Sequence, residues 1–180
     1  MAALTIQLPA HDAQTNFNLR RWRELLHDPE LAKVEGRIET DRHGRILMTP
    51  PPAPAHGRFQ SRIAYLLQTL LADGDTLTEC PISTADGVRA ADVAWASPER
   101  MRELGKRICF VHSPEICVEV LSPGNSDNEI AEKMTLYFDA GAREAWVCAE
   151  SGAMKFFGPQ RTSLGVSKLC PGFPKRIDLR

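Results

Sequence analysis

The fold of this chain is decided by residues 114–123, which read Pro-Glu-Ile-Cys-Val-Glu-Val-Leu-Ser-Pro. The run over residues 116–121 is apolar except for Glu119, and its length and bulk are typical of a buried strand. A carboxylate is rarely buried without a metal ion, a cation or a proton to share. The run therefore predicts both a central strand and a functional acid within it.

A second acid, Asp92, lies in another apolar run at residues 88–96. Side chains alternate along a strand, so we expect Asp92 to share one face with Val88, Ala90 and Ala94. The small alanines would leave space beside its carboxylate. If the strands that carry Asp92 and Glu119 are neighbours, the two carboxylates converge and form a hard-oxygen site suited to Mg²⁺ or Mn²⁺.

A cation for this pair is available on the helix predicted over residues 126–140. Ser126 and Glu129 form a capping-box pattern at its start, and Gly141 follows its end. Lys133 flanks the stripe of apolar residues on this helix, so its stem can lie along the sheet while its ammonium reaches the carboxylates. There it could hold an attacking water or offset developing negative charge.

The rest of the pattern predicts an α/β fold, with a central mixed sheet flanked by helices and with an N-terminal helix and hairpin. Strands are predicted at residues 33–38, 45–49, 76–84, 88–96, 115–121, 143–149 and 153–157, with a further short strand near Ile177. Phe59, Ile63 and Leu67 mark an amphipathic helix. The 180 residues fit one domain over 1–180, with residues 1–13 flexible.

Composition limits the class of protein. The net charge of −1 argues against a strongly electrostatic nucleic-acid binder. The five cysteines form no Cys-x-x-Cys pair, and Cys117 and Cys148 lie in apolar strands, as in reduced proteins of the cytoplasm. We find no signal-peptide pattern and no apolar stretch of the roughly 20 residues that a membrane span needs. We therefore expect a cytoplasmic protein without membrane contact.

Several motifs together resemble a known family, the Uma-two family of restriction endonucleases in the PD-(D/E)XK nuclease superfamily. The resemblance extends from about residue 33 to residue 157. Its strongest parts are the block at 114–123, the strand Ala91-Asp92-Val93-Ala94, the segment Val34-Glu35-Gly36-Arg37-Ile38, and the later residues Lys133, Tyr137, Gly141, Glu144 and Trp146.

The resemblance implies a restriction-endonuclease-like core in which Asp92 and Glu119 bind Mg²⁺ or Mn²⁺. The main-chain carbonyl of Val120 is expected to complete the metal's protein ligands. In the wider superfamily a lysine lies two positions after the acid, where this chain has Leu121. The resemblance therefore assigns the catalytic cation to Lys133.

Two further residues are supporting candidates. Glu35 would be an additional acid near the site by the same resemblance. His56 could act as a general base, but a histidine at the start of a helix that follows prolines is more often a capping or surface residue.

The leading functional hypothesis is a metal-dependent endonuclease that hydrolyses phosphodiester bonds of DNA, acting as a homodimer. The alternative is an inactive nuclease-fold module that binds nucleic acid or a protein partner. A third reading is a structural protein in which Glu119 and Lys133 form a buried ion pair without chemistry. Phosphate contacts could come from two basic groups, which are also typical of solvated faces: Arg20, Arg21 and Arg23, and Arg100, Arg102, Lys106 and Arg107.

Overall fold

The computed structural model describes residues 11–179. Its helices are α1 (His11–Leu26), α2 (Pro54–Leu70), α3 (Pro98–Leu104) and α4 (Asp127–Asp139). Its strands are β1 (Arg37–Thr40), β2 (Ile46–Thr49), β3 (Asp75–Thr84), β4 (Gly87–Ala96), β5 (Ile116–Val120), β6 (Glu144–Cys148), β7 (Met154–Gly158) and β8 (Thr162–Leu164).

One mixed sheet of six strands, in the order β3-β4-β5-β6-β7-β8, organises these elements. Strands β5 and β6 are parallel and are connected through α4, whereas the other neighbours in the sheet are antiparallel. Strands β1 and β2 form a separate hairpin. The predicted α/β fold, its central strand at 115–121 and its N-terminal helix and hairpin are thereby confirmed.

Apolar side chains cover both faces of the sheet. Helix α2 buries Phe59, Ile63 and Leu67, spaced one helical turn apart, against Val118 and other residues of the sheet. On the opposite face, Tyr137 of α4 packs with the alanines of β4. Because all five residues of β5 are buried, any polar group on this strand must find its partners inside the protein.

Strands β4 and β5 pair over a short distance and then diverge. Their register pairs Trp95 with Ile116, Ala94 with Cys117 and Val93 with Val118. Residues 87–92 of β4 lie outside the pairing with β5, and side chains of β1 bind their main chain instead. Thr40 Oγ1 accepts a hydrogen bond from the Val88 N–H at 2.9 Å, and Glu39 Oε1 accepts one from the Ala90 N–H at 2.7 Å.

The expected alternation along β4 is wrong around Asp92. Ala91 and Ala94 pack in the same apolar cluster, although they are an odd number of positions apart. The ladder with β3 pairs Cys80 with Ala91 and Thr78 with Val93, and Glu79 between them has a φ of 50°. The register is the same on both sides of Glu79, so no residue is inserted, and the irregular backbone there interrupts the ladder for one pair.

Other differences are local. The strand expected at residues 33–38 begins only at Arg37, because a 3₁₀ turn covers Leu31–Lys33 and Gly36 has a φ of 131°. The extra strand expected near Ile177 is absent from the described residues, and Arg176 forms only an isolated bridge to Ala153. The last strand of the sheet is β8, which lies earlier in the chain. Residues 11–13, expected to be flexible, begin α1, and the rest of that predicted segment lies outside the described residues.

The five cysteines are all buried and free of disulfides, as expected. Within residues 11–179, every helix is too short or too polar to span a bilayer.

Candidate active site

Asp92 and Glu119 lie on neighbouring strands at the point where those strands diverge. The last main-chain pair joins Val93 to Val118, so Asp92 and Glu119 are the next residues on each strand. Instead of continuing the ladder, Asp92 Oδ2 accepts a hydrogen bond from the Val120 N–H at 2.6 Å. The predicted convergence of the two acidic strands is present, and the carboxylate of Asp92 itself joins them.

The Asp92 side chain is 1% exposed and is held by two cationic or polar groups besides Val120. Arg37 Nη1 of β1 donates to Asp92 Oδ1 at 2.5 Å, and His56 Nε2 of α2 lies 3.5 Å from the same oxygen. Burial raises the pKa of Asp92, but the His56 contact, the Arg37 charge and the Val120 hydrogen bond together lower it below its usual value. Asp92 is therefore ionised at neutral pH.

The Glu119 side chain is fully enclosed between β5 and α4. Tyr137 donates its hydroxyl to Glu119 Oε1 at 2.6 Å, and Lys133 Nζ donates to Oε2 at 3.0 Å. Burial raises the pKa of Glu119 to about 7; the Lys133 charge opposes this shift and the charge of Asp92 adds to it. Like charges on adjoining strands disfavour ionisation of both carboxylates, which is the direction of the Asp92 effect.

Lys133 reaches the site as predicted, and all three of its N–H groups have protein acceptors nearby. Besides Glu119, its Nζ donates to the Ala90 carbonyl at 3.1 Å and lies 3.3 Å from Glu39 Oε1. Burial lowers the pKa of Lys133, but the charges of Glu119 and Glu39 outweigh it and raise the pKa above its usual value. In this arrangement the ammonium is charged and fixes the position of Glu119.

His56 lies in the first turn of α2 and connects Asp92 to the loop after β5. Its Nδ1 is 3.1 Å from Ser122 Oγ, and its side chain is 9% exposed. When Nε2 carries the hydrogen, it faces Asp92 and Nδ1 accepts from the Ser122 hydroxyl. The structure thus brings His56 into the site with both ring nitrogens engaged.

Glu35 is exposed and has no described contact with this group. Sequence reasoning instead missed Arg37, Glu39 and Glu79, which surround Asp92 and Lys133 from β1 and β3. The only signal in the sequence was the spacing of Arg37 and Glu39, two positions apart on a short strand, which places both on one face. Nothing in the sequence shows that this face meets β4.

Three of the seven residues in the two predicted basic groups pair with nearby acids. Arg21 bonds Glu24 on α1, and around α3 Arg100 and Arg102 bond Glu103 and Glu99. Such local pairs reduce the charge that these surfaces offer to phosphates.

The site's suitability for a divalent metal rests on its donors. Asp92 and Glu119 supply the hard carboxylate oxygens that Mg²⁺ and Mn²⁺ prefer, and their mutual repulsion would be relieved by a cation. Within residues 11–179, no group of three or more His, Cys, Asp and Glu side chains is arranged to hold a metal. The pair fits the ion by donor type alone, and its oxygens are bonded in this structure by Arg37, Lys133 and Tyr137.

A cavity of about 610 Å³ opens beside Asp92. Arg37, His56 and Asp92 contribute to its polar part, whereas most of its wall is apolar and comes from α1, the hairpin and the proline segment before α2. On the α4 side, a second cavity of about 570 Å³ is more polar and includes Glu39 and Lys133. The group of charged residues is thus bordered by solvent-accessible space on two sides.

Comparison with known proteins identifies the family of this chain and a solved structure with a similar fold. The family model Uma2, described as "Putative restriction endonuclease", matches residues 22–167. The chain belongs to this family, which confirms the resemblance drawn from the sequence.

A solved structure is also similar, that of a protein from Anabaena variabilis ATCC 29413 described as a putative nuclease belonging to DUF820. The TM-score is 0.62 at 19% identity, over 75% of this chain and 80% of the other. At this identity the likeness supports the fold alone. No curated protein matches the chain.

Proposed function

We propose that this protein is a Mg²⁺- or Mn²⁺-dependent endonuclease that hydrolyses phosphodiester bonds of DNA. The observation that carries the proposal is the pair Asp92 and Glu119, which stands on two diverging strands within a family of restriction endonucleases. When bound, the metal would polarise the phosphate and lower the pKa of an attacking water.

We assign the other roles in the reaction to residues of the chain. Asp92 and Glu119, with the Val120 carbonyl, are the proposed metal ligands. Lys133 and Tyr137 each donate to one Glu119 oxygen and so fix the orientation of that carboxylate. His56 borders the cavity beside Asp92 and can accept or deliver a proton there. Glu35 is not assigned a role.

Arg37 carries the positive charge at the opening of this cavity. Its guanidinium can hold a phosphate oxygen of the substrate. A homodimer, which remains a prediction, would bring two such sites to the two strands of one duplex.

A second candidate function, an inactive module that binds nucleic acid or protein, is favoured by one observation. Arg37 and Lys133 already compensate both carboxylates within the protein. In that case the site would be a structural ion-pair network that needs no metal.

Manganese binding followed by calorimetry separates the two functions. The nuclease requires binding by the wild type that is lost in Glu119→Ala and retained in the exposed control Asp139→Asn. Cleavage of plasmid DNA in Mg²⁺ should disappear in Asp92→Asn and persist in Asp139→Asn. A wild type that binds no manganese, or an Asp92→Asn variant that cleaves at the wild-type rate, would contradict the proposal.

A further inference from the structure

We propose that the cavity beside Asp92 binds an unpaired nucleobase, so that the substrate is a single strand or a locally unpaired duplex. This inference rests on the proposed function and specifies its substrate. The cavity is the space of about 610 Å³ described above, and we call it the Asp92 cavity.

The wall of the Asp92 cavity has the composition of a stacking site. Trp22 and Leu26 of α1, Ile38 of β1, and Pro50, Pro51 and Pro52 all line it. Trp22 and the proline rings offer flat faces to a base and the aliphatic side chains add apolar contact; stacking on an aromatic side chain is worth about 1–3 kcal/mol per base in single-strand binders. The volume lies within the roughly 300–1,000 Å³ of pockets that enclose small organic groups.

The polar part of the same cavity contains two acids, Asp92 and Glu79, and its charged hydrogen-bond donor is Arg37. Arg37 and His56 line it together with Asp92, and Arg37 is 20% exposed despite its ion pairs. A ligand that matches both parts must join a flat apolar ring system to an anion over a few bonds. A nucleotide has this constitution, with its base against the wall and its phosphate beside Arg37.

Two features indicate that the wall lacks a partner within the protein. Leu26 is 56% exposed at the edge of the cavity, and Met48 of the adjoining β2 is 50% exposed. The Trp22 indole N–H has no hydrogen-bond partner among the described residues and is not one of their buried unpaired atoms, so it is accessible to solvent. A base offers ring nitrogens and carbonyl oxygens that could accept from it.

A fully paired duplex cannot use this cavity. Its bases are stacked on both faces, and an enzyme that takes a base into a pocket must first unstack and unpair it, at a cost of a few kcal/mol. That cost disappears when the nucleotide is already unpaired. Selectivity for unpaired nucleotides next to the cleaved phosphate therefore follows from a base-sized apolar space adjoining Asp92.

The test is binding of fluorescein-labelled oligonucleotides, measured by anisotropy with Ca²⁺ in place of Mg²⁺. Three duplexes are compared: one fully paired, one with a single bulged nucleotide, and one with an abasic bulge at the same position. We expect the bulged duplex to bind roughly tenfold more tightly than the other two, which corresponds to one stacked base.

Variants locate the effect in the cavity. Leu26→Gln should weaken binding of the bulged duplex about 3–10-fold by replacing an apolar contact, and Pro51→Ser, a second wall variant, should also weaken it. Leu70→Gln is the matched control, because Leu70 is 43% exposed on α2 and does not line the cavity. Equal affinity for the paired and bulged duplexes, no binding at all, or equal loss in Leu26→Gln and Leu70→Gln overturns the inference.

Cleavage in Mg²⁺ then separates the inference from the function on which it rests. Cutting of the paired and bulged duplexes at equal rates would uphold the nuclease and overturn the base-binding cavity. Bulge-selective binding without cleavage of any substrate would uphold the cavity and overturn the nuclease.

Discussion

The backbone N–H of Val120 donates a hydrogen bond to Asp92 Oδ2 at 2.6 Å, and Val120 directly follows Glu119 on β5. Asp92 thus takes the place of a main-chain partner at the point where β4 and β5 diverge. Buried backbone groups require such a partner. The carboxylate therefore stabilises the sheet as well as offering a ligand, and its substitution should affect both properties.

Removal of Arg37 should favour metal binding. The guanidinium bonds Asp92 Oδ1 at 2.5 Å, and a hydrogen bond between charged groups is worth about 1.5–3 kcal/mol. We expect Arg37→Gln to bind Mn²⁺ roughly tenfold more tightly than the wild type in calorimetry. Arg100→Gln is the control, because Arg100 pairs with Glu103 and approaches Glu115, away from the site. Unchanged or weaker affinity in Arg37→Gln would show that Arg37 does not compete with the metal.

The buried pair of Glu119 and Lys133 should be strongly coupled in stability. Lys133→Met leaves Glu119 and Glu39 without their shared cation, and breaking a buried pair typically costs about 3–5 kcal/mol. Adding Glu119→Gln should recover part of that loss, because the remaining buried charge is reduced. Urea unfolding at pH 8 measures each free energy. Additive losses in the double variant would contradict the coupling, and Lys155→Met, at an exposed position of β7, should have little effect.

Stability should depend on pH through Glu119. Its pKa is raised by burial from 4.5 to about 7, so the folded protein holds this proton more tightly than the unfolded chain does. The contribution of the Glu119 proton is fully present below pH 4.5 and is lost as the pH rises through 7. The unfolding free energy of the wild type relative to Glu119→Gln should therefore fall between these values, by at most about 1.4 kcal/mol per pH unit.

Urea titrations of both proteins measure this difference at several pH values. The series runs from pH 4.5, the ordinary pKa of Glu119, to about pH 8, above its raised pKa of about 7. A difference that stays constant over the whole interval would show that Glu119 is already ionised below pH 5.

Glu39 should contribute through both its hydrogen bond and its charge. Its Oε1 accepts from the Ala90 N–H at 2.7 Å and lies 3.3 Å from Lys133 Nζ. Glu39→Gln can keep the first contact, whereas Glu39→Ala loses both. We expect urea unfolding to show a loss of about 1–2 kcal/mol for the glutamine variant and about 1–3 kcal/mol more for alanine.

The control for Glu39 is Glu35→Ala, because Glu35 is exposed on the same segment. Its effect should stay within about 0.5 kcal/mol. Equal losses in Glu39→Gln and Glu39→Ala would indicate that charge alone matters at Glu39. A large loss in Glu35→Ala would restore Glu35 as a member of the site.

The sequence by itself determined the central strand, the two acids and the helix that carries Lys133. Each of these follows from local pattern: an apolar run broken by one carboxylate, a 3.6-residue stripe, and a serine that caps α4 by accepting a hydrogen bond from the Glu129 N–H. Such patterns reflect burial and backbone geometry within a few residues, and for that reason they can be read without a structure.

Only the tertiary structure decided which groups surround those acids. Arg37 and Glu39 reach Asp92 and Lys133 because the β1–β2 hairpin packs against the half of β4 that β5 does not pair, a contact between segments about 50 positions apart. The Asp92 cavity likewise lies between separate segments, since α1, the hairpin and the proline segment all contribute to its wall. Contacts of this range depend on how separate elements fit together, which no local periodicity encodes.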